Sequence, residues 1–317
     1  MTYINAIGAI SPQSTMEDGH FVCVEPDYKE LINPVQLRRM SRILKMGLGA
    51  SGICINNLPE TEIDAVIVGT GLACIIDLEK FLISVLDGNE QALSPIPFIN
   101  SSHNTVAAQI AMMHKITGYN NTYCHRGASF EAALQDALML LDEGEAKHVL
   151  VGGIDEYSRH YHLMISEEDK MKNTVLGEGA VFFMLEKERR ENTFAELKSV
   201  HSFLMKNEAL NSQIVKTEIS EFLQKQDLDF SEIDVFMSGK NGNCITDGIY
   251  DELKKDFSPN AETVYYKHLC GEYMNSTAFA LALAASQLKN QKGKRILIYN
   301  HYSDMNHSVI LLETEKQ

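Results

Sequence analysis

No uninterrupted apolar run in this 317-residue sequence approaches the ~20 residues of a transmembrane helix, so no membrane span is expected. The start, Met1 to Pro12, has neither a basic segment nor a long apolar core; it reads as a strand and turn, not a signal peptide. No CxxC pair and no Cys/His ligand spacing occurs among Cys23, Cys54, Cys74, Cys124, Cys244 and Cys270. That pattern argues against a metal site or disulfides and for a reducing cytoplasm, with each cysteine a buried free thiol. Positive charge is scarce: 28 Lys and Arg against 43 Asp and Glu leave a net charge of −15. Nucleic acid and anionic membranes would repel such a surface, so neither is an expected partner. No low-complexity tract or Pro/Ser-rich linker divides the chain, and 44% hydrophobic residues suffice for a large core.

Strands and helices alternate throughout. Tyr3–Ala9 reads as a strand, and Asn33-Pro34 opens an amphipathic helix reaching about Ile55. Ile63–Gly69 is a continuous apolar run ending in glycine, the mark of a buried strand. Leu78–Leu86 and Asn104–Lys115 read as helices, Tyr119–Tyr123 as a short strand, and His148–Val151 as a strand leading to Gly152-Gly153. Ser129–Leu141 (SFEAALQDALMLL) and Ser276–Leu288 (STAFALALAASQL) are apolar on most sides and read as buried helices. Ala180–Glu186, Ile233–Met237, Arg295–Asn300 and Val309–Glu313 read as strands, the last two as a hairpin; Ser212–Gln226 and Ile249–Phe257 read as helices. Pattern alone supports a large α/β domain with two similar halves.

Three segments carry more. Ser94–Gln109 (SPIPFINSSHNTVAAQ) has a Pro-rich lead and an SxHNxxAxQ pattern. Val149–Gly153 ends an apolar strand in Gly-Gly, and Gly177-Glu178-Gly179-Ala180 precedes an apolar strand ending Leu185-Glu186. Together they resemble the β-ketoacyl synthases, the condensing enzymes of fatty-acid and polyketide synthesis. The resemblance is good over about residues 61–188 and traceable from Ile233 to the end. Within the family the chain is similar to the ketosynthase-like proteins of bacterial aryl-polyene and flexirubin pathways. The resemblance implies a thiolase-like five-layer α/β/α/β/α architecture with two pseudo-repeated halves, 1–165 and 166–317, forming one compact unit.

The family uses a Cys nucleophile and two histidines to load an acyl chain, decarboxylate a malonyl unit and stabilise its enolate. Gly127 occupies the nucleophile's position, nine residues after Gly118 and twenty-five before Gly152. In the loop Ser238–Asp247 (SGKNGNCITD), aligning Asp247 with the family Asp puts Gly239 at the first histidine. In Lys267–Glu272 (KHLCGE) the family Lys and Gly are kept, and Glu272 replaces the second histidine. The family's terminal Gly-rich turn is replaced by Tyr302–Asn306 (YSDMN). Glycine supplies no nucleophile or base, and an ionised Glu repels an enolate.

Cys124 and His103 are the fallback catalytic candidates. Cys124 lies three residues upstream of Gly127, away from the helix N-terminus that would activate a thiol. Ser102 is expected to cap the following helix while His103 packs beside it. His160 and His162 read as exposed loop residues; His301 and His307 flank the altered last turn. Lys267 and Glu272 are placed to form a buried pair. Arg38, Arg39, Arg42 and Lys45 share roughly one helix face, which reads as solvated or as a contact for an acidic partner.

The resemblance thus implies a catalytically degenerate subunit akin to a chain-length factor, with no cofactor and no metal. The alternatives are an active 3-oxoacyl-carrier-protein synthase or acyltransferase using Cys124, and a stand-alone acyl-binding scaffold. Its expected partners are a catalytic ketosynthase or a second copy, joined through the strand Tyr119, Asn120, Asn121, Thr122 and Tyr123, and an acyl carrier protein. Carrier proteins are typically acidic, so with this acidic chain the docking patch has to be local or lie on a partner.

Overall fold

The computed structural model describes residues 1–88, 93–165, 171, 173–205, 211–303 and 305–315. β1 (Tyr3–Ile10) is followed by α1 (Arg42–Asn56), β2 (Ala65–Gly69), α2 (Ile75–Asp87), α3 (Pro95–Asn100), α4 (Thr105–His114) and β3 (Tyr119–Tyr123). Then come α5 (Ser129–Glu143), β4 (His148–Asp155), α6 (Arg159–Ile165), β5 (Gly179–Glu186), β6 (Ala195–Leu204) and α7 (Ser212–Gln224). β7 (Val235–Ser238), α8 (Gly248–Leu253), β8 (Glu262–Tyr265), α9 (Ser276–Leu288), β9 (Arg295–Tyr302) and β10 (Asn306–Glu313) follow.

In space the strands run β3-β2-β4-β5-β1-β6-β10-β9-β7-β8. Each half repeats one arrangement. β3, β2 and β4 are parallel, and β5 and β1 follow antiparallel. β8, β7 and β9 are likewise parallel, and β10 and β6 follow antiparallel. The halves meet where β1 pairs with β6, Tyr3 opposite Glu196 and Ile4 opposite Ala195. The chain passes from the strands of the first arrangement to those of the second between Glu186 and Ala195.

Side-chain alternation along each strand builds the layers. Ile67 and Val151 face inward, where Phe130 and Leu134 of α5 and Ala278 and Leu281 of α9 meet Ile298 and Ile310 of the second half. Val66 and Val68 point the other way, onto Ile43 and Met46 of α1 and Val106 and Ile110 of α4. In the second half Leu297 and Leu311 turn outward onto Val215 and Ile219 of α7 and Leu253 of α8. Helices thus cover both outer faces, and α5 and α9 fill the space between the two halves of the sheet, which gives the α/β/α/β/α order. Strands buried on both faces read as unbroken apolar runs, as β2 does.

Several local expectations need correction. The helix read from Asn33 to Ile55 is two pieces, Pro34–Leu37 and α1; Asn33 Oδ1 accepts from Val35 N at 2.9 Å, and Ser41 is extended and ends the continuity. β6 and β8 escape a periodicity reading: β8 is a short edge strand, and β6 mixes charge with apolar residues. α6 occupies a stretch read as loop. The cysteines are not uniformly buried, since Cys244 is exposed and Cys124 half-buried. Among the described residues no helix is long and apolar enough to cross a membrane.

Candidate active site

β3 delivers the chain to Cys124, and the turn through His125, Arg126 and Gly127 then opens α5. Ser129 secures that turn: its Oγ accepts from His125 N at 2.8 Å and donates to Arg126 O at 2.7 Å. Arg126 holds a left-handed backbone, φ 53°. Gly127 is buried, and the space a Cβ would take there is already occupied. An added Cβ would lie 2.3 Å from Tyr302 Cβ and 2.6 Å from its Cγ. Tyr302, at the end of β9, is itself buried, with its hydroxyl 3.4 Å from that of Tyr161.

The second position is filled in the same way. A Cβ on Gly239 would lie 2.3 Å from Asn300 Oδ1 and 2.8 Å from Tyr250 Oη. Asn300 Nδ2 donates to Thr277 Oγ1 at 3.1 Å, and the Tyr250 hydroxyl accepts from His301 N at 3.1 Å, so both neighbours are anchored. Asp247 braces the loop by accepting from Asn241 N at 3.1 Å and Gly242 N at 2.9 Å.

At the third position Glu272 forms an ion pair. Its Oε2 lies 2.6 Å from Lys267 Nζ, and each side chain is 1% exposed. Asn241 Nδ2 donates to the same oxygen at 2.7 Å. The turn between the partners is fixed by Gly271, φ 75°, whose Cβ position would run into the Leu176 backbone. Glu272 N and O bond Val175 O and Gly177 N, which ties this turn to the Gly-Glu-Gly-Ala segment. Within that segment Glu178 receives both Arg42 guanidinium nitrogens at 2.5 Å, and these bonds hold its carboxyl below the ordinary range. Arg42 therefore points inward and leaves the basic face read from sequence.

Sequence reasoning missed Asp155, which joins these parts. It ends β4, two residues after Gly152-Gly153, where an acidic pair, Asp155-Glu156, closing an apolar run was the available signal. Its Oδ1 accepts from Gly71 N at 2.7 Å and Thr70 Oγ1 at 3.3 Å. Its Oδ2 accepts from Asn275 N at 2.9 Å and Asn275 Nδ2 at 2.7 Å, at the start of α9. One carboxylate thus holds the β2–α2 loop of the first half against the central helix of the second. Burial pushes its pKa up to about 6, against the pull of these donors.

The fallback residues stand apart. Cys124 Sγ donates to Gly71 O at 3.3 Å; burial, then Asp155, push its thiol pKa up, which disfavours the thiolate. With His125, Arg126, Tyr161, Met274 and Tyr302 it lines a cavity of about 400 Å³. His103 is exposed, and Ser102 does not cap the backbone: its hydroxyl bonds the side chains of Asn104 at 3.0 Å and Thr105 at 2.8 Å. His160 is exposed on α6 beside Glu79, 3.1 Å away, whereas His162 is half-buried with Nδ1 2.7 Å from the Tyr157 hydroxyl. His301 and His307 are buried, their rings 5.6 Å apart, and burial drives the His301 pKa down. Among the described residues no group of three or more His, Cys, Asp or Glu is placed to hold a metal.

The centre therefore combines a tyrosine seated on a glycine, an amide and a phenol against a second glycine, and a buried Lys–Glu pair. Comparison with known proteins accounts for this scaffold. The β-ketoacyl synthase N-terminal domain matches residues 23–224. The ishigamide ketosynthase/chain length factor structure superposes with a TM-score of 0.85 at 19% identity, covering 99% of each chain. A structure of AntDE:AntF, a type II polyketide synthase acyl-carrier protein in complex with its ketosynthase, gives 0.76 at 13% identity, also over 99% of each chain. A β-ketoacyl synthase from Burkholderia phymatum STM815 gives 0.78 at 12% identity over the same share. These likenesses show a shared thiolase-like fold, and a comparison with curated proteins finds no match. With about two thirds of its length matched by that domain, the chain belongs to the β-ketoacyl synthase family.

Proposed function

We propose that this chain is a catalytically silent ketosynthase-like subunit of a polyketide- or fatty-acid-type elongation system in the cytoplasm. It pairs with a catalytic ketosynthase, as a chain-length factor does, and contacts the carrier-bound acyl chain without transforming it. The observation that carries the reading is Tyr302 seated in the space above Gly127, where a nucleophile's side chain would stand. The Lys267–Glu272 pair supports it, because a buried carboxylate neutralised by a lysine offers no donor for an enolate oxygen.

Incubated with an acyl-carrier thioester, the protein is expected to gain no mass in intact-mass spectrometry. Stoichiometric loading that disappears in Cys124→Ala would overturn the reading in favour of the active acyltransferase. That second reading has one observation behind it: Cys124 opens onto the 400 Å³ cavity.

The proposed subunit contact uses β3. It pairs with β2 on one side and ends the strand order on the other, with Tyr119 and Asn120 exposed. A free sheet edge offers unpaired backbone groups to a second chain. Tyr119 N donates to Asp64 O, so by strand alternation Asn121 N also faces β2 and Thr122 N faces the open edge, where Asn121 Oδ1 accepts it at 2.9 Å. Thr122→Pro removes that N–H and is expected to weaken association with a co-expressed ketosynthase, or with a second copy, by at least about tenfold on dilution. Association unchanged by this proline, read by light scattering, would place the interface elsewhere.

A further inference from the structure

Beside Tyr302 lies a second, smaller cavity of about 40 Å³, with Leu72, Leu176 and Met274 among its apolar walls and Glu156 and Glu272 in its lining. Both glutamates are buried, 7% and 2% exposed. Among the described residues each has one carboxylate oxygen without a hydrogen-bond partner, Glu156 Oε2 and Glu272 Oε1. Their other oxygens are in use: Glu156 Oε1 accepts from Ile76 N at 3.1 Å, and Glu272 Oε2 from Lys267 and Asn241. Buried acceptors call for a donor. Two cations of the chain are already taken up, Lys267 by Glu272 Oε2 and Arg42 by Glu25 and Glu178. One water needs about 10–15 Å³, so the cavity has room for an ammonium head. Tyr161, Ile165, Met274 and Tyr302 also line the 400 Å³ cavity at Cys124, so the two spaces share a wall.

We propose that the two cavities together bind a primary alkylammonium ligand. Its NH3+ group donates to the free oxygens of Glu156 and Glu272 in the inner cavity, and its alkyl chain runs past Tyr161 and Tyr302 into the outer one. The donor count decides the class. An ammonium has three N–H donors and a positive charge, an alcohol has one donor, and a carboxylate has none and is repelled. This ligand is distinct from the acyl chain of the preceding reading and does not rest on it. Glu156 also supplies a readout. Burial pushes its pKa up to about 8, against the Ile76 N–H; Asp77 of α2 and Glu178 of β5 act with the burial, and Arg42 of α1 opposes it. Asp155 and Lys267 are the other charged groups at the two carboxylates, and the Cys74 thiol lies near Glu156. An ammonium pairs with the ionised form, so binding draws the proton off Glu156.

The test is isothermal titration calorimetry on the full chain with hexylammonium, hexanol, hexanoate and ammonium chloride. Hexylammonium is expected to bind, and the other three to bind at least about tenfold more weakly, since each lacks the charge, the donors or the chain. Hexylammonium keeps its charge between pH 7 and pH 9, as a lysine does. Its affinity is expected to rise by about tenfold over that range, the factor by which the ionised fraction of Glu156 grows. Glu156→Gln is expected to lower affinity at pH 9 by about tenfold and to flatten the profile. The profile is read on the unaltered chain, so it decides the matter even if that variant fails to fold. Hexanol, hexanoate or ammonium chloride binding as tightly as hexylammonium would overturn the proposal. So would a flat pH profile in the parent, an affinity unmoved in a folded Glu156→Gln, or no binding at all, which would leave the inner cavity to water only.

Discussion

Gly127→Cys is expected to destabilise the protein by at least about 2 kcal/mol and to yield no ketoacyl product. The new Cβ lands 2.3 Å from Tyr302 Cβ, and no rotation of the phenol ring removes that contact, because a Cβ is fixed by its backbone. Overpacking of this kind typically costs about 1–3 kcal/mol, and here both partners are buried, Gly127 in the turn that opens α5 and Tyr302 at the end of β9. Tyr302→Ala keeps the obstructing carbon and is expected to give little relief. Tyr302→Gly removes it, so G127C/Y302G is expected to be less destabilised than the two single changes summed, a coupling that a double-mutant cycle from urea unfolding reads directly. Even the relieved variant lacks histidines at the other two positions, so a thiol at 127 should at most be acylated. Ketoacyl product from the single mutant would show that the remaining site is competent.

Lys267→Met is expected to cost about 3–5 kcal/mol, the usual penalty for stripping one partner from a buried ion pair. Both side chains are 1% exposed, so water cannot take the place of the lost ammonium. Glu272 would keep only the Asn241 amide on its paired oxygen. The double variant K267M/E272Q removes both charges while leaving an acceptor for Asn241, and is expected to recover most of the loss. Urea midpoints of the parent, K267M and K267M/E272Q decide the matter. Equal stability of K267M and the parent would mean that Glu272 is reached by solvent or carries a proton.

Much of the fold was legible because burial on both faces leaves a direct trace. β2 and the helices α5 and α9 are apolar runs that no solvent-facing element could carry, and α9 was bounded to the residue. β3 was equally clear, since Tyr119–Tyr123 is rich in aromatic and β-branched residues between two turns. The break before α1 was not. Arg38, Arg39, Arg42 and Lys45 keep helical spacing, and nothing in that spacing records that Arg42 turns inward to Glu178. In the site, Gly127, Gly239 and Glu272 were singled out by counting along local patterns. What fills them could not: Tyr302 reaches Gly127, and Asn300 reaches Gly239, only through the placement of β9 between β7 and β10. Asp155 was missed for the same reason, since its partners Gly71 and Asn275 are brought to it by both halves.

The position of β1 sets an order of events in synthesis. It lies in the interior of the strand order, yet its partners β5 and β6 come far later in the chain, and the Asn5–Glu186 contact spans 181 positions. A ribosome releases Tyr3–Ile10 long before either neighbour exists. Until Glu186 has emerged, this apolar segment has no strand to pair with, and α1 and its share of the outer layer lack their seat. Such long-range pairing makes folding slow and leaves a sticky strand in the nascent chain. Tyr3–Ile10 is therefore a segment of this fold with a particular need of a chaperone, since it is made long before the strands that lock it.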